Sequence, residues 1–337
     1  MKTVFRFITL VFVLMSLAGC AASAQVPAAS DDTLYIVTTI FPPYDFARQI
    51  TENADHVTVA QLLRPGTESH TFDPTPADIL AVQNCDLFIY TGGESDAWVQ
   101  TLLDAAPGAE EKSIRMTALV DTVAEDHIEG ATHRHEHDHG HEEDDADHAD
   151  QIPDSDHVEY DEHVWTDPHN AVRITQALCD AICGLDPDNA ALYQTNTDAY
   201  LAELQKLDEI LHEITEHAAH RTLVFGDRFP MRYLCDAYGL GYRAAFPGCA
   251  AESEPSAATM IFLIEKVREE KIPAILTIEM SNQKIAQAMA DETGVPILGM
   301  HSCHNRTADE AAADKTYLDL MYENAEVLKL ALGSYEQ

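Results

Sequence analysis

The chain has 337 residues, 46% of them apolar, which suits a globular protein with a sizeable core and about two domains of ordinary size. Its 58 acidic against 20 basic residues give a net charge of −38. That balance argues against nucleic acid and anionic lipid surfaces as partners, since both reward Lys and Arg, and makes cations the natural ligands.

The opening "MKTVFRFITLVFVLMSLAGC" places Lys2 and Arg6 before an apolar stretch too short to span a bilayer, then small residues before a cysteine. Leu17-Ala18-Gly19-Cys20 resembles the bacterial lipobox, in which the signal is cut before a cysteine that becomes acylated. Residues 1–19 therefore read as a lipoprotein signal peptide, with Cys20 as the lipidation site. Residues 20–32 read as acylated cysteine plus flexible tether. The expected location is extracytoplasmic, on a lipid anchor in the bacterial cell membrane.

From residue 34 short apolar runs alternate with helical segments. "LYIVTTI" (34–40), "VTVAQLL" (57–63) and "DLFIYTG" (86–92) read as buried strands, with helices around "YDFARQI" and "TPADILAVQN". Such alternation predicts an α/β fold with parallel sheet covered on both faces.

The tract 121–160 breaks the rhythm. Between Asp126 and Asp150 it carries seven of the seventeen histidines, among eleven carboxylates counted from Glu125. Without apolar periodicity it reads as a disordered His-rich insertion in the first lobe. His133, His135, His137, His139 and His141 are its candidate accessory metal ligands, able to hold several ions weakly.

A long helix follows, expected over 187–217 and about 45 Å long at 1.5 Å per residue. Asp186-Pro187 would cap it, and Leu201, Leu204, Leu207, Leu211 and Ile214 form its apolar stripe. The rhythm then restarts with "TLVFGD" (222–227), "PAILTIE" (273–279) and "VPILGM" (295–300). Helices are expected near 256–270, 282–293 and 308–333. The expected organisation is an N-terminal lobe (33–170), a linking helical segment (171–218) and a C-terminal lobe (219–337). A ligand cleft belongs off the carboxyl ends of the strands. Of the cysteines after Cys20, Cys179 and Cys183 lie one helical turn apart in an apolar pattern and read as buried thiols rather than a bridge.

Three histidines outside the tract sit where a cleft is expected: His70 after the second strand, His163 after the insertion, and His301 beyond a strand's end. Neutral imidazoles on rigid strand–loop junctions suit zinc's tetrahedral preference. Each alone is as well read as a surface residue; their joint placement is the signal. His169 reads as a helix-start surface residue and Glu279 as a strand-end acid. His212, His217 and His220 read as a surface cluster, because "LHEITEHAAH" spaces HExxxH and not the HExxH of zinc hydrolases. An enzyme is not expected.

"RPGTESHTFDPTPADI" resembles the "PGxxPHxFxPTPxD" stretch of metal-binding lipoproteins that serve zinc and manganese ABC importers, the cluster A-I (cluster 9) solute-binding proteins. "DEHVWTDPHNA" resembles that family's "DxHxWLDPxNA" segment, and "GGESDAWV" looks like its "GxxxExW" turn. The resemblance spans roughly residues 34–333. It implies a C-clamp of two similar lobes on one rigid helix, with metal in the cleft between them.

By that resemblance His70 and His163 match two first-lobe ligands. The family's next ligand position falls on Gly226, which has no donor atom, and its last falls on His301. Two replacements are open: Asp227, one residue along, and His304, three residues after His301, of which His304 is favoured. A site of three or four histidines prefers zinc to manganese, although copper and nickel also accept imidazole. Affinity should fall as pH drops through roughly 6.5, because ligation needs neutral rings. The implied function is capture of zinc and delivery to a cognate ABC permease by a monomer. The alternatives are manganese or another divalent metal, a metal-scavenging adhesin with the same site, and, least favoured, a zinc-dependent hydrolase.

Overall fold

The computed structural model describes residues 33–68, 72–125, 160–246 and 255–334. The expected signal and tether with Cys20, the candidate ligand His70, the tract histidines His133, His135, His137, His139 and His141, and Cys249 lie outside the described residues.

Strand β1 (Leu34–Thr38) leads into α1 (Phe41–Ile50), whose first turn takes Pro42 and Pro43, where the missing N–H costs nothing. Next come β2 (Val57–Gln61), α2 (Pro76–Asn84), β3 (Leu87–Tyr90), α3 (Val99–Ala105) and β4 (Ser113–Arg115). Helix α2 starts at Thr75, whose side chain and that of Asp78 close a reciprocal capping box. After the described residues resume come α4 (Pro168–Leu185) and α5 (Ala190–Glu216). The remaining elements are β5 (Thr222–Arg228), α6 (Arg232–Tyr238), β6 (Gly241–Phe246), α7 (Ala257–Glu269), β7 (Ile275–Thr277), α8 (Lys284–Thr293), β8 (Ile297–Gly299), α9 (Ala308–Ala312) and α10 (Tyr317–Ala331).

The strands form two four-stranded parallel sheets of the same order, β2-β1-β3-β4 and β6-β5-β7-β8. This is the expected α/β class. All six predicted strands are present, five of them shorter than predicted and β5 one residue longer. The reading missed β4 and β6, short edge strands that carry Arg115 and Arg243 and so lack a continuous apolar run.

The long helix differs from expectation at its start. Pro187–Asn189 forms a separate 3-10 turn, and α5 begins at Ala190, so its 27 residues span about 40 Å. Asp186 does not cap it. Its carboxylate is turned to the hydroxyl of Tyr193 (2.5 Å) and to His56 Nε2 (2.6 Å). The predicted stripe is otherwise found: Leu204, Leu207, Leu211 and Ile214 are buried, Leu201 partly so.

The last predicted helix is two. Asp314 takes a left-handed φ of 51°, and Thr316 with Asp319 makes a new capping box that restarts the helix as α10. The sheets share one core, in which α5 residues Leu204 and Leu211 cluster with Ile36 and Ile89 on one side and Leu223 and Phe225 on the other. Residues 31–337 accordingly pack as one compact unit.

The ends of the 121–160 tract are fixed. Ala124 and Tyr160 form an antiparallel bridge, and Asp161 N–H donates to Val123 O at 3.0 Å. The chain thus leaves and returns at one point, immediately before His163. All five cysteines among the described residues are free, and Cys179 and Cys183 lie Sγ to Sγ at 3.8 Å without a bond. Among the described residues no helix is long and apolar enough to cross a membrane.

Candidate metal centre

One group of three potential ligands converges among the described residues. A donor atom from each of Glu162, His163 and His304 lies within 4.8 Å of the others. Glu162 and His163 are adjacent in sequence, and in extended chain their side chains would point to opposite faces. A tight turn removes that alternation. Val164 N–H donates to Glu162 O at 2.8 Å across His163, whose φ of −79° and ψ of 44° approach an inverse γ-turn.

His163 is 2% exposed. Its Nδ1 lies 3.0 Å from Asp161 Oδ1, which also accepts the His163 backbone N–H at 2.8 Å. A carboxylate only accepts, so Nδ1 carries the hydrogen and Nε2 presents its lone pair, the usual arrangement of a metal-ligating histidine. Burial works against a charge on this ring. The carboxylates of Asp161, Glu162 and Glu125 outweigh it, and the net pKa lies above the ordinary imidazole value.

Glu162 is fully buried. Its Oε2 accepts the Ser95 N–H at 2.9 Å, while Oε1 has no hydrogen-bond partner. A buried carboxylate oxygen without a partner is costly unless something positive meets it. The "GGESDAWV" turn is shaped to admit this side chain: a Cβ on Gly93 would sit 2.0 Å from Glu162 Oε2. Beneath it Asp96 is also buried, and burial, followed by the charge of Glu162, pushes its carboxyl up to about 7.

His304 comes from the loop after β8. That loop turns at Cys303, which adopts a left-handed φ of 60° without being glycine, a strain of order 1–3 kcal/mol. Contacts with the first half of the chain hold it there. Phe41 N–H donates to His304 O (3.1 Å), Trp165 Nε1–H to Ser302 O (2.8 Å) and Gly66 N–H to Arg306 O (2.7 Å). Asn305 Nδ2 donates to Arg64 O (2.7 Å) and Thr67 O (3.0 Å). The Trp165 ring lies 5.4 Å from both imidazoles and, fully buried, fixes their mutual angle of 82°.

His301 stands apart from this group. Its Nδ1 accepts the Cys303 N–H at 2.8 Å, and its Nε2–H donates to Glu310 Oε2 at 3.3 Å, so both nitrogens are engaged. Burial disfavours charge on this ring, but Glu279 and Glu310 draw the net pKa upward. Asp227 also lies outside the group: its Oδ1 accepts the Arg228 N–H at 2.9 Å. Glu279 accepts from the backbone and hydroxyl of Ser302 and thereby braces the His304 loop.

Gly226 has a packing cause. A Cβ there would meet Ala286 Cα at 2.6 Å, because α8 lies directly on β5, so no liganding side chain fits. The second sheet instead sends Arg228 across the cleft to Glu68 at 2.9 Å. Glu68, His163, Arg228, Glu279 and His304 line a partly open cleft whose inner space of about 30 Å³ has room for an ion with a water.

Sequence reasoning singled out His163 and His304 but missed Glu162 and Trp165. The available signal was the acid directly before His163 in "DEHVW". Only knowledge of the turn makes it readable.

A family model described as zinc-uptake complex component A, periplasmic, matches residues 36–331. The chain belongs to this family. Among its members, the high-affinity zinc uptake system protein ZnuA of Bacillus subtilis is 29% identical over 323 residues, covering 95% of this chain and 94% of that protein. The zinc-binding lipoprotein AdcA of Streptococcus pneumoniae is 29% identical over 320 residues, covering 93% of this chain. The match spans only 58% of AdcA's own length. The Zn(II)-bound ZnuA-like domain of that AdcA superposes with a TM-score of 0.69 at 27% identity, over 89% of this chain and 99% of the domain. The metal-dependent lipoprotein YcdH of B. subtilis gives 0.71 at 25%, with the same coverages. The laminin-binding protein Lmb of Streptococcus agalactiae, at 22% identity and a TM-score of 0.70, shares the fold.

Proposed function

We propose that the chain is the extracytoplasmic solute-binding component of a zinc importer. It binds one zinc ion through Glu162, His163 and His304, and hands it to a membrane permease. The observation that carries this reading is the buried convergence of two imidazoles and a carboxylate with an unpartnered oxygen. Such a donor set matches zinc's preference for nitrogen with one oxygen, whereas manganese favours more oxygen.

His70 is assigned the fourth position. The described residues on either side support this: Thr67 and Glu68 line the same cleft, and Phe72 packs on Trp98 at 4.7 Å between ring centroids. His301 serves as a brace in this reading, and Asp227 is not a ligand. Cys20 is proposed to anchor the protein, and a monomer suffices because one chain supplies every ligand. The tract histidines from His133 to His141 are assigned to weak accessory capture, since the tract returns to the fold at Tyr160, beside the site.

Zinc competition against a chelator tests the assignment. His163→Ala and His304→Ala should each weaken the tight equivalent by at least about 100-fold, and Glu162→Gln by less. Unchanged affinity in both histidine variants would refute it. Because His163 holds its proton above the usual imidazole range, affinity should begin to fall at a pH above 6.5 as the solution is acidified.

A further inference from the structure

Arg228 puts a positive charge on the wall of a cleft whose other polar groups suit a cation. It closes β5, and its guanidinium donates to Glu68 Oε1 at 2.9 Å, which joins the loop after β2 to the second sheet. Both side chains line the same cleft as His163 and His304. We propose that Arg228 is a specificity-determining residue: by holding the Glu68 carboxylate it keeps a further oxygen donor off the metal, and so biases the cleft toward zinc and against manganese. This role presupposes the zinc site proposed above and adds what sets its preference.

The strand is shaped to aim this side chain. Phe225 pairs with Ala244 and Arg228 with Phe246, so the step from 225 to 228 on β5 matches the shorter step from 244 to 246 on β6. One extra residue of this kind bulges a strand and re-aims the side chains beyond it. The bulge falls at Gly226 and Asp227, and Asp227 Oδ1 steadies it by accepting the Arg228 N–H at 2.9 Å.

The carboxylates around the cleft are treated unequally. Glu279 accepts the Ser302 N–H at 2.7 Å and the Ser302 hydroxyl, with His301 Nδ1 3.8 Å away. Glu68 is engaged by Arg228. Glu162 keeps one buried oxygen, Oε1, without a partner, and Glu162 is the carboxylate that converges with the two imidazoles. The result is a nitrogen-rich donor set with one oxygen. Zinc accepts such a set, whereas manganese, calcium and magnesium reward each added oxygen. Freeing Glu68 offers such an oxygen at the edge of the cleft.

The pair is partly open to solvent, with side chains 23% and 39% exposed for Arg228 and Glu68. It therefore biases the choice of metal without forbidding one, and a shift of about 5-fold is the scale that an ion pair of this exposure supports. Removing the guanidinium also removes a repelling charge, which tightens every dication alike. The ratio of two metal affinities separates these effects.

The test is competition against a metal-sensitive fluorescent chelator on the full chain, run with zinc and with manganese. It compares wild type, Arg228→Gln, and Arg228→Gln combined with Glu68→Gln. Arg228→Gln should move the manganese-to-zinc affinity ratio toward manganese by about 5-fold, and adding Glu68→Gln should return it to the wild-type value. As a second readout, anomalous scattering from manganese-loaded crystals of Arg228→Gln should show a Glu68 carboxylate oxygen bound directly to the ion. Equal tightening of both metals, a shift that survives Glu68→Gln, or a Glu68 carboxylate away from the manganese would overturn the proposal. A wild-type chain that binds no zinc in the same assay would instead remove the site on which it acts.

Discussion

The two sheets have the same strand order and the same parallel sense, yet their carboxyl ends do different chemistry. The region beyond the first sheet carries Glu162 and His163 and is braced by Asp161 and Trp165. At the corresponding place β5 carries Gly226, sealed by α8, and ends on Arg228, an ion-pair partner instead of a ligand. Among the described residues, the second half's donor in the converging group is His304, and its loop is hydrogen-bonded to the first half at Phe41, Arg64, Gly66, Thr67 and Trp165. Shared topology therefore does not imply shared ligand duty. In the proposed site the second half's donor comes from a loop already held in position and not from a strand end.

Four substitutions probe this asymmetry, in order of expected effect. Trp165 is fully buried against the His163 and His304 rings and bonded to the loop, so Trp165→Ala should lower unfolding free energy by about 3–5 kcal/mol. Chemical denaturation would check this, and a loss under 1 kcal/mol would mean that the loop is held by other contacts. Placing a ligand back on β5 with Gly226→His should destabilise by at least about 1–3 kcal/mol through overpacking against Ala286, with no gain in zinc affinity. Tighter binding in that variant would show that the second sheet was only missing a donor.

Asp45, on α1, accepts the Tyr317 N–H of α10 at 2.9 Å and so ties the halves together. Burial pushes its carboxyl up to about 6 from an ordinary 3.8. The folded chain then retains a proton that the unfolded chain has lost, so this contribution is complete below about pH 4 and disappears as pH rises through 6. Asp45→Asn keeps an acceptor without the charge, and should raise stability at pH 7–8 by about 1–3 kcal/mol but not at pH 4. Melting curves at the two pH values decide. The smallest effect is expected for Asp161→Asn, which leaves the ligands intact but releases the tautomer of His163 and should weaken zinc by about 10-fold.

Much of the architecture was legible in the sequence because its strands are buried on both faces and read as unbroken apolar runs. The edge strands β4 and β6 lack that signature, and the break between α9 and α10 depends on a left-handed Asp314 that no periodicity announces. The site was half legible. His163 and His304 stand in recognisable contexts, but the exclusion of a side chain at residue 226 follows from the approach of α8, a contact across 60 positions of sequence. Glu162 was hidden by the expectation that neighbouring side chains diverge, which the turn at His163 cancels.

Anomalous scattering at the zinc edge from crystals of the zinc-loaded protein addresses the asymmetry most directly. The account predicts one strong peak in the cleft, about 2.0–2.2 Å from His163 Nε2, a ring nitrogen of His304 and a carboxylate oxygen of Glu162, with no ligand from β5. A peak bound instead by Asp227 or His301, with His304 turned away, would contradict it.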